Sequence, residues 1–186
     1  GLYVTGADSN TVTQSYMWGS MLGAQLWTGS DYNTISLSTM IGASNWGFYA
    51  LGADFNAVTG SNMRGGNYGA LLWTGADANT ISLSTMIGSA IYGLQISAAS
   101  TNTVTQSYMW GGQYGSWLNT DARFSLISLS TMISNSAGNP ALYITAATSS
   151  TIQGSYIQGS TAAYVSGSTE TVIGDSVLVA TNTRGS

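Results

Sequence analysis

Apolar and polar residues alternate along this chain in runs of only three to six positions. In Leu2-Tyr3-Val4, Leu2 and Val4 share one face of an extended segment and Tyr3 takes the other. Phe48/Ala50, Leu94/Ile96 and Leu142/Ile144 repeat the rule. A second alternating piece is Thr11-Val12-Thr13, with Val12 inward, and a third is Tyr16-Met17-Trp18, with Met17 inward and Gly19 turning the chain. A period of two predicts strands. No 3.6-residue period competes with it, and helix formers such as Glu, Lys and Arg are almost missing.

These pieces recur. TVTQSYMWG stands at Thr11 to Gly19 and again at Thr103 to Gly111; TISLSTMIG stands at Thr34 to Gly42 and at Thr80 to Gly88. Met17, Met40, Met63, Met86, Met109 and Met132 are spaced by 23, and a serine two residues earlier and the series Val12, Ile35, Val58, Ile81, Val104, Ile127 keep step. Segments that begin at Gly1, Gly23, Gly47, Gly69, Gly93 and Gly115 alternate between 22 and 24 residues, so the full period is 46. Strands this short cannot form an isolated sheet. Stacked in parallel at about 4.8 Å per coil, they bond each circuit to the next in a rod of about 34 Å. The expected fold is therefore all-β: a parallel β-helix (β-solenoid) of about eight coils of 22–24 residues, with three short strands per coil. It forms one domain over residues 1–186, with regular coils at 1–138, an insertion at 139–140, less regular coils at 141–180 and a tail at 181–186.

Inward rows follow from this winding. The first reads Leu2, Ala24, Phe48, Ala70, Leu94, Ser116, Leu142, Ala163, and its partner row Val4, Leu26, Ala50, Leu72, Ile96, Leu118, Ile144, Val165. Large and small side chains alternate because coils 4.8 Å apart share a fixed volume. The methionine row is read as core filling and not as a thioether metal site. Asn10, Asn33, Asn56, Asn79 and Asn102 suit a stacked turn position, and loss of Asn56 in mid-stack should cost more than loss of Asn10 at the end. Asp8, Asp31, Asp54 and Asp77 form another row, read as Asx turns whose repulsion water screens, with Ca²⁺ held between coils as the alternative. No other cofactor is expected.

Composition then removes whole classes of chemistry. The chain of 186 residues has no Cys, no His and no Lys, three Arg, seven Asp/Glu and a net charge of -4. Disulfides, Cys/His zinc sites, Cys or His catalysis and lysine Schiff bases are excluded, as is the basic patch that nucleic acid requires. No apolar stretch is long enough for a transmembrane helix, and nothing at Gly1 reads as a signal peptide. The sequence starts in mid-pattern, which suggests a processed product or a piece of something longer. The scarcity of Lys and the absence of Cys suit an extracellular or cell-surface location.

The unit Asn-Thr-Ile/Val-x-x-Ser-x-Met-x-Gly followed by Gly-Leu-x-Val resembles the right-handed parallel β-helix repeat of the pectate-lyase-like superfamily. Asn10/Val12/Met17 and Asn33/Ile35/Met40 match its frame, with Ser15 and Ser38 where that family often carries Asn. The resemblance implies a right-handed, single-stranded winding. Its lyases carry an Arg or Lys base beside an acidic cluster, and its polygalacturonase-like hydrolases carry close Asp residues with His and Lys. Neither set maps here, since Lys and His are absent and Arg64, Arg123 and Arg184 are scattered. The resemblance thus implies a non-enzymatic member or fragment. The missing N-terminal capping helix implies a longer rod or stacking on another chain.

Function is left to what points outward. One candidate strip carries Tyr3, Tyr49, Trp117 and Tyr143 with Trp27 and Trp73 beyond it; another carries Tyr16 and Tyr108 with Trp18 and Trp110. Such rows could stack on sugar rings, bury against a neighbouring rod or protein, or simply brace the sheet. The third strip is a Thr/Ser ladder of Thr11, Thr13, Thr34, Ser36, Thr59, Thr80, Ser82, Thr103 and Thr105, interrupted by Ala57, Leu126, Gln153 and Ile173. Ladders of this kind resemble those of ice-binding proteins, because side chains about 6.7 Å apart along a strand and 4.8 Å across coils approach an ice lattice. The expected role is an extracellular structural or adhesive rod without catalysis, whose partner is another protein surface, a neighbouring rod or a glycan. Glycan binding and ice binding are the alternatives. Self-association end to end or side by side is also expected.

Overall fold

The structure, a computed structural model, describes residues 1–181; the end of the expected tail, with Arg184, lies outside them. The chain is all-β and winds through three parallel eight-stranded sheets, one strand of each per circuit. In coil 1 these strands are Leu2–Thr5, Thr11–Thr13 and Tyr16–Gly19; in coil 4 they are Tyr68–Trp73, Thr80–Ser82 and Thr85–Gly88. We call the three stacks sheets 1, 2 and 3 in that order. The result is a parallel β-solenoid of eight coils.

Register follows the repeat. Met17, Met40, Met63, Met86, Met109 and Met132 pair in sequence along sheet 3, and the row continues through Ile157 and Leu178. All six methionines are buried, so they fill the core as expected. Leu2, Ala24, Phe48, Ala70, Leu94, Ser116, Leu142 and Ala163 pair in the same order along sheet 1, large beside small throughout.

Polar ladders tie the turns together. The Asn10 amide N–H donates to Asn33 Oδ1 at 2.8 Å, Asn33 to Asn56 at 2.7 Å, Asn56 to Asn79 at 2.8 Å and Asn79 to Asn102 at 2.9 Å. Asn79 Nδ2 also donates to the Ala53 carbonyl at 2.9 Å. Serines act likewise: the Ser38 N–H donates to Ser61 Oγ at 3.1 Å, while Ser38 Oγ donates to its own turn at the Ser36 carbonyl at 2.7 Å. Each side chain therefore satisfies a buried amide of the neighbouring coil. Asn79→Ala orphans the buried Asn56 N–H and the Ala53 carbonyl, and we expect a loss of about 2 kcal/mol or more in urea unfolding. Asn10 Oδ1 accepts no amide N–H among the described residues, so Asn10→Ala should cost clearly less.

Sheets 1 and 3 meet at a tight corner lined by glycine. A Cβ on Gly69 would lie 2.4 Å from the Ile87 backbone nitrogen, and one on Gly88 would lie 1.8 Å from the Tyr92 carbonyl oxygen. These rows lapse in the last coil, at Ala162 and at Ala180 opposite Gly159, and before it where Ser134 pairs with Gly111 and where Ala141 follows Pro140. At this earlier lapse the turn is widened to residues 135–139, and Pro140 opens the strand Pro140–Thr145. Extra chain relaxes the corner, so side chains fit.

Candidate functional site: three outward faces

Sheet 1 carries a nearly continuous aromatic surface. Tyr3, Gln25, Tyr49, Leu71, Gln95, Trp117, Tyr143 and Tyr164 form one column in register, as expected. A second column, Trp46, Tyr68, Tyr92 and Tyr114, stands beside it. Strict alternation back from Phe48 would turn Trp46 inward, yet its ring stacks on Tyr49 at 5.1 Å. The corner glycine breaks the alternation and swings the preceding ring outside. A repeated aromatic-Gly pair (Trp46-Gly47, Tyr68-Gly69, Tyr92-Gly93, Tyr114-Gly115) was the signal for it. Ring contacts then run from Tyr3–Trp27 through Tyr49–Trp73, Tyr92–Trp117 and Trp117–Tyr143 to Tyr143–Tyr164, at 5.1–6.4 Å.

Pointing outward is not the same as being exposed. Tyr49 points away from the core but is only 5% exposed, because Trp27, Trp46 and Trp73 close over it. Burial pushes its phenol up to about 12 and raises Tyr92, Tyr68 and Tyr114 as well. Trp117 and Tyr143 are half-buried; Tyr3, Trp27 and Trp73 are exposed.

The sheet 1 surface has a cleft of about 300 Å³, lined by Trp46, Tyr68, Leu71, Trp73, Gln95 and Ser97. Trp73 offers an open indole, 44% exposed. Gln95 Nε2 donates to Asn119 Oδ1 at 3.4 Å. The lining carries no charge.

The expected aromatics of sheet 3 are not brought together. Tyr16 pairs through Thr39, Asn62 and Thr85 before Tyr108 is reached, so the two rings stand four coils, about 19 Å, apart. Trp18 and Trp110 are separated in the same way, with the exposed Arg64 between them.

On sheet 2 the Thr/Ser ladder is in the expected register: Thr11, Thr34, Ala57, Thr80 and Thr103 in one column, Thr13, Ser36, Thr59, Ser82 and Thr105 in the other. Ile173 differs from expectation. It pairs with inward Ile152 and packs on the core, and Val172 and Gly174 stand outward there. The second column bonds to itself, since Ser36, Ser82 and Ser128 donate their hydroxyls to Thr13, Thr59 and Thr105 at 3.0 Å. The face is rimmed by large apolar residues that the sequence reading missed: Tyr32, Phe55 and Phe124 on one side, Leu37, Leu83 and Leu129 on the other. All are exposed and all have positive φ.

The aspartate row has a structural use. Asp8, Asp31 and Asp54 each accept, at 2.8 Å on Oδ1, the amide N–H of the aspartate one coil on; Asp77 accepts from Ser100 at 2.6 Å. No cluster of three or more metal-ligating side chains occurs among the described residues. Burial lifts the Asp54 carboxyl above the ordinary carboxylate value; the bond from the Asp77 N–H opposes this, and Asp31 and Asp77 add repulsion. A raised folded-state value means that the folded chain holds the proton more tightly. Stability from this group is thus present in acid and lost as pH rises from the ordinary value near 3.9 through the folded one. Asp54→Asn keeps the Oδ1 acceptor and removes the charge. At pH 7 it should be at least as stable as the parent in urea unfolding, with the gap closing at pH 3.

No protein-family model matches this sequence, and no curated protein does. Among solved structures, a proposed glycosyl hydrolase from Parabacteroides merdae is similar with a TM-score of 0.50 at 9% identity, over 83% of this chain and 79% of that one. HetL, a pentapeptide repeat protein involved in heterocyst differentiation regulation from the cyanobacterium Nostoc, aligns over 94% of this chain and 86% of its own, at 14% identity and a TM-score of 0.35. The first likeness shows the fold alone, a parallel β-solenoid.

Proposed function

We propose that this chain is a segment of an extracellular or cell-surface adhesive rod, without catalysis, that meets its partner through the aromatic face of sheet 1. The supporting observation is the line of ring contacts from Tyr3 to Tyr164, open to solvent at Trp27 and Trp73. Rings that only braced a sheet would have no need of exposed indoles, and an apolar row of this length suits a docking face. The Asn-x-Val/Ile frame with its asparagine ladder supports placing the rod with the pectate-lyase-like solenoids, as a member without their chemistry. One solenoid of like fold is described as a glycosyl hydrolase. Glycoside hydrolysis uses two carboxyl groups flanking the scissile bond, and no acidic side chain lines the cleft here. The sheet 2 ladder suits a lattice less well, because its second column spends hydroxyls on cross-coil bonds.

Beads coated with the rod should be retained on at least one film among crystalline cellulose, chitin and denatured collagen. Retention should fall at least tenfold for the double variant Trp27→Ser/Trp73→Ser. Equal retention of parent and variant on every film would end the proposal.

A further inference from the structure

We propose that the cleft of coils 3 to 5 on sheet 1 is a subsite for a neutral pyranose ring of a glycan, an inference that rests on the aromatic face being the recognition surface. The cleft arises from a departure within the repeat. In the odd-numbered coils the outward column of sheet 1 reads Tyr3, Tyr49, Gln95 and Tyr143, so Gln95 stands where the others have a ring. Two residues on, coil 5 has Ser97 where coil 3 has Leu51. Both changes subtract bulk at one spot in the middle of the rod, and the space they leave is about 300 Å³.

What surrounds that space matches a sugar. Trp73, Tyr68 and Trp46 give flat apolar walls, and Leu71 is buried beneath. A pyranose presents an apolar C–H face to such a wall and hydroxyls around its edge. Gln95 supplies an amide with both donor and acceptor capacity, since the long 3.4 Å bond to Asn119 uses only one of its two amide hydrogens. Ser97 adds a hydroxyl at the same end. Aromatic walls with a few placed polar groups are the usual make-up of a small-molecule site. No lining residue is charged, so a uronic or sialic acid would bring a carboxylate with no cation to meet it. The ligand is therefore a neutral hexose or N-acetylhexosamine unit, and the 44% exposed face of Trp73 is the stacking platform.

The test uses Gln95→Tyr, which restores the residue of the other odd coils, so it should fold and fill the cleft. Cellotetraose, mannotetraose and chitotetraose are titrated against the whole chain by calorimetry and tryptophan fluorescence, with tetragalacturonate as the charged control. At least one neutral probe should bind saturably. Gln95→Tyr and Trp73→Ala should each weaken it at least tenfold, with melting temperatures unchanged or, for Gln95→Tyr, raised. The inference is overturned if no neutral tetramer binds, if tetragalacturonate binds as well as they do, or if Gln95→Tyr binds like the parent. Bead retention separates the two proposals: parent beads held on a film while every tetramer fails sinks the subsite alone, whereas parent and double-variant beads held equally on every film sinks the adhesive face.

Discussion

Gly69→Ala is expected to destabilise this solenoid by about 3 kcal/mol or more, although it adds a single methyl group. The new Cβ would fall 2.4 Å from the Ile87 nitrogen, 2.5 Å from the Gly93 carbonyl oxygen and 2.6 Å from the Met86 carbonyl carbon. All three are backbone atoms, so no side chain can swing aside. To make room the strand Tyr68–Trp73 would have to lift from the strand Thr85–Gly88, each bonded to coils above and below at about 4.8 Å. A shift of one coil is thus resisted by its neighbours. Gly138→Ala is the control, because nothing lies within 4 Å of its Cβ position. Urea unfolding followed by circular dichroism should show a large fall in midpoint for Gly69→Ala and none for Gly138→Ala. A Gly69→Ala protein with the parent's midpoint would show that sheets 1 and 3 do not meet as closely as described.

Phe48→Ala should cost about 3–5 kcal/mol, the range for deleting a buried ring from a packed core. Phe48 is 1% exposed, and its neighbours in the row, Ala24 and Ala70, are fully buried. Alanines cannot turn into the void, so the cavity persists. The alternation of large and small gives a second, sharper expectation. Ala70→Leu should destabilise the parent by overpacking against Phe48, yet partly rescue Phe48→Ala by filling the space it leaves. The double-mutant cycle, read by thermal and urea unfolding, should give a coupling well above the scatter expected of independent sites. Simple additivity would mean that adjacent coils do not share one packing volume, and the 46-residue period would lose its physical reason.

Much of this was legible in the residues themselves. Alternation in Leu2-Tyr3-Val4 and Tyr16-Met17-Trp18, repeated every 22 to 24 residues, admits one economical winding. From it follow the methionine row, the paired inward rows of sheet 1 and the sheet 2 register. The stacked asparagines were equally readable, because a turn amide recurring once per coil needs an acceptor in the next. Other features escaped for identifiable reasons. Trp46 and Tyr68 broke the period-two rule because a corner glycine stands between them and the strand. Asp8 to Asp77 looked like a run of mutual repulsion because their sequence does not show that each Oδ1 meets a backbone N–H one coil on. Ile173 was placed outward because the corner between Gly159 and Thr161 is a single residue, so the step from Ile152 to its partner Ile173 is 21 residues and not 23.

By itself, then, the order of residues determined the winding, the number of coils and which side chains face inward, since each of these depends only on alternation along a strand and a spacing between strands. Tertiary structure alone decided which outward side chains meet water. Tyr49 and Trp73 both lie on the outer surface of sheet 1, but one is sealed under rings from the coils on either side of it and the other is left open above Gln95. Direction is a local property of the backbone; exposure is set by neighbours about 23 residues away on either side.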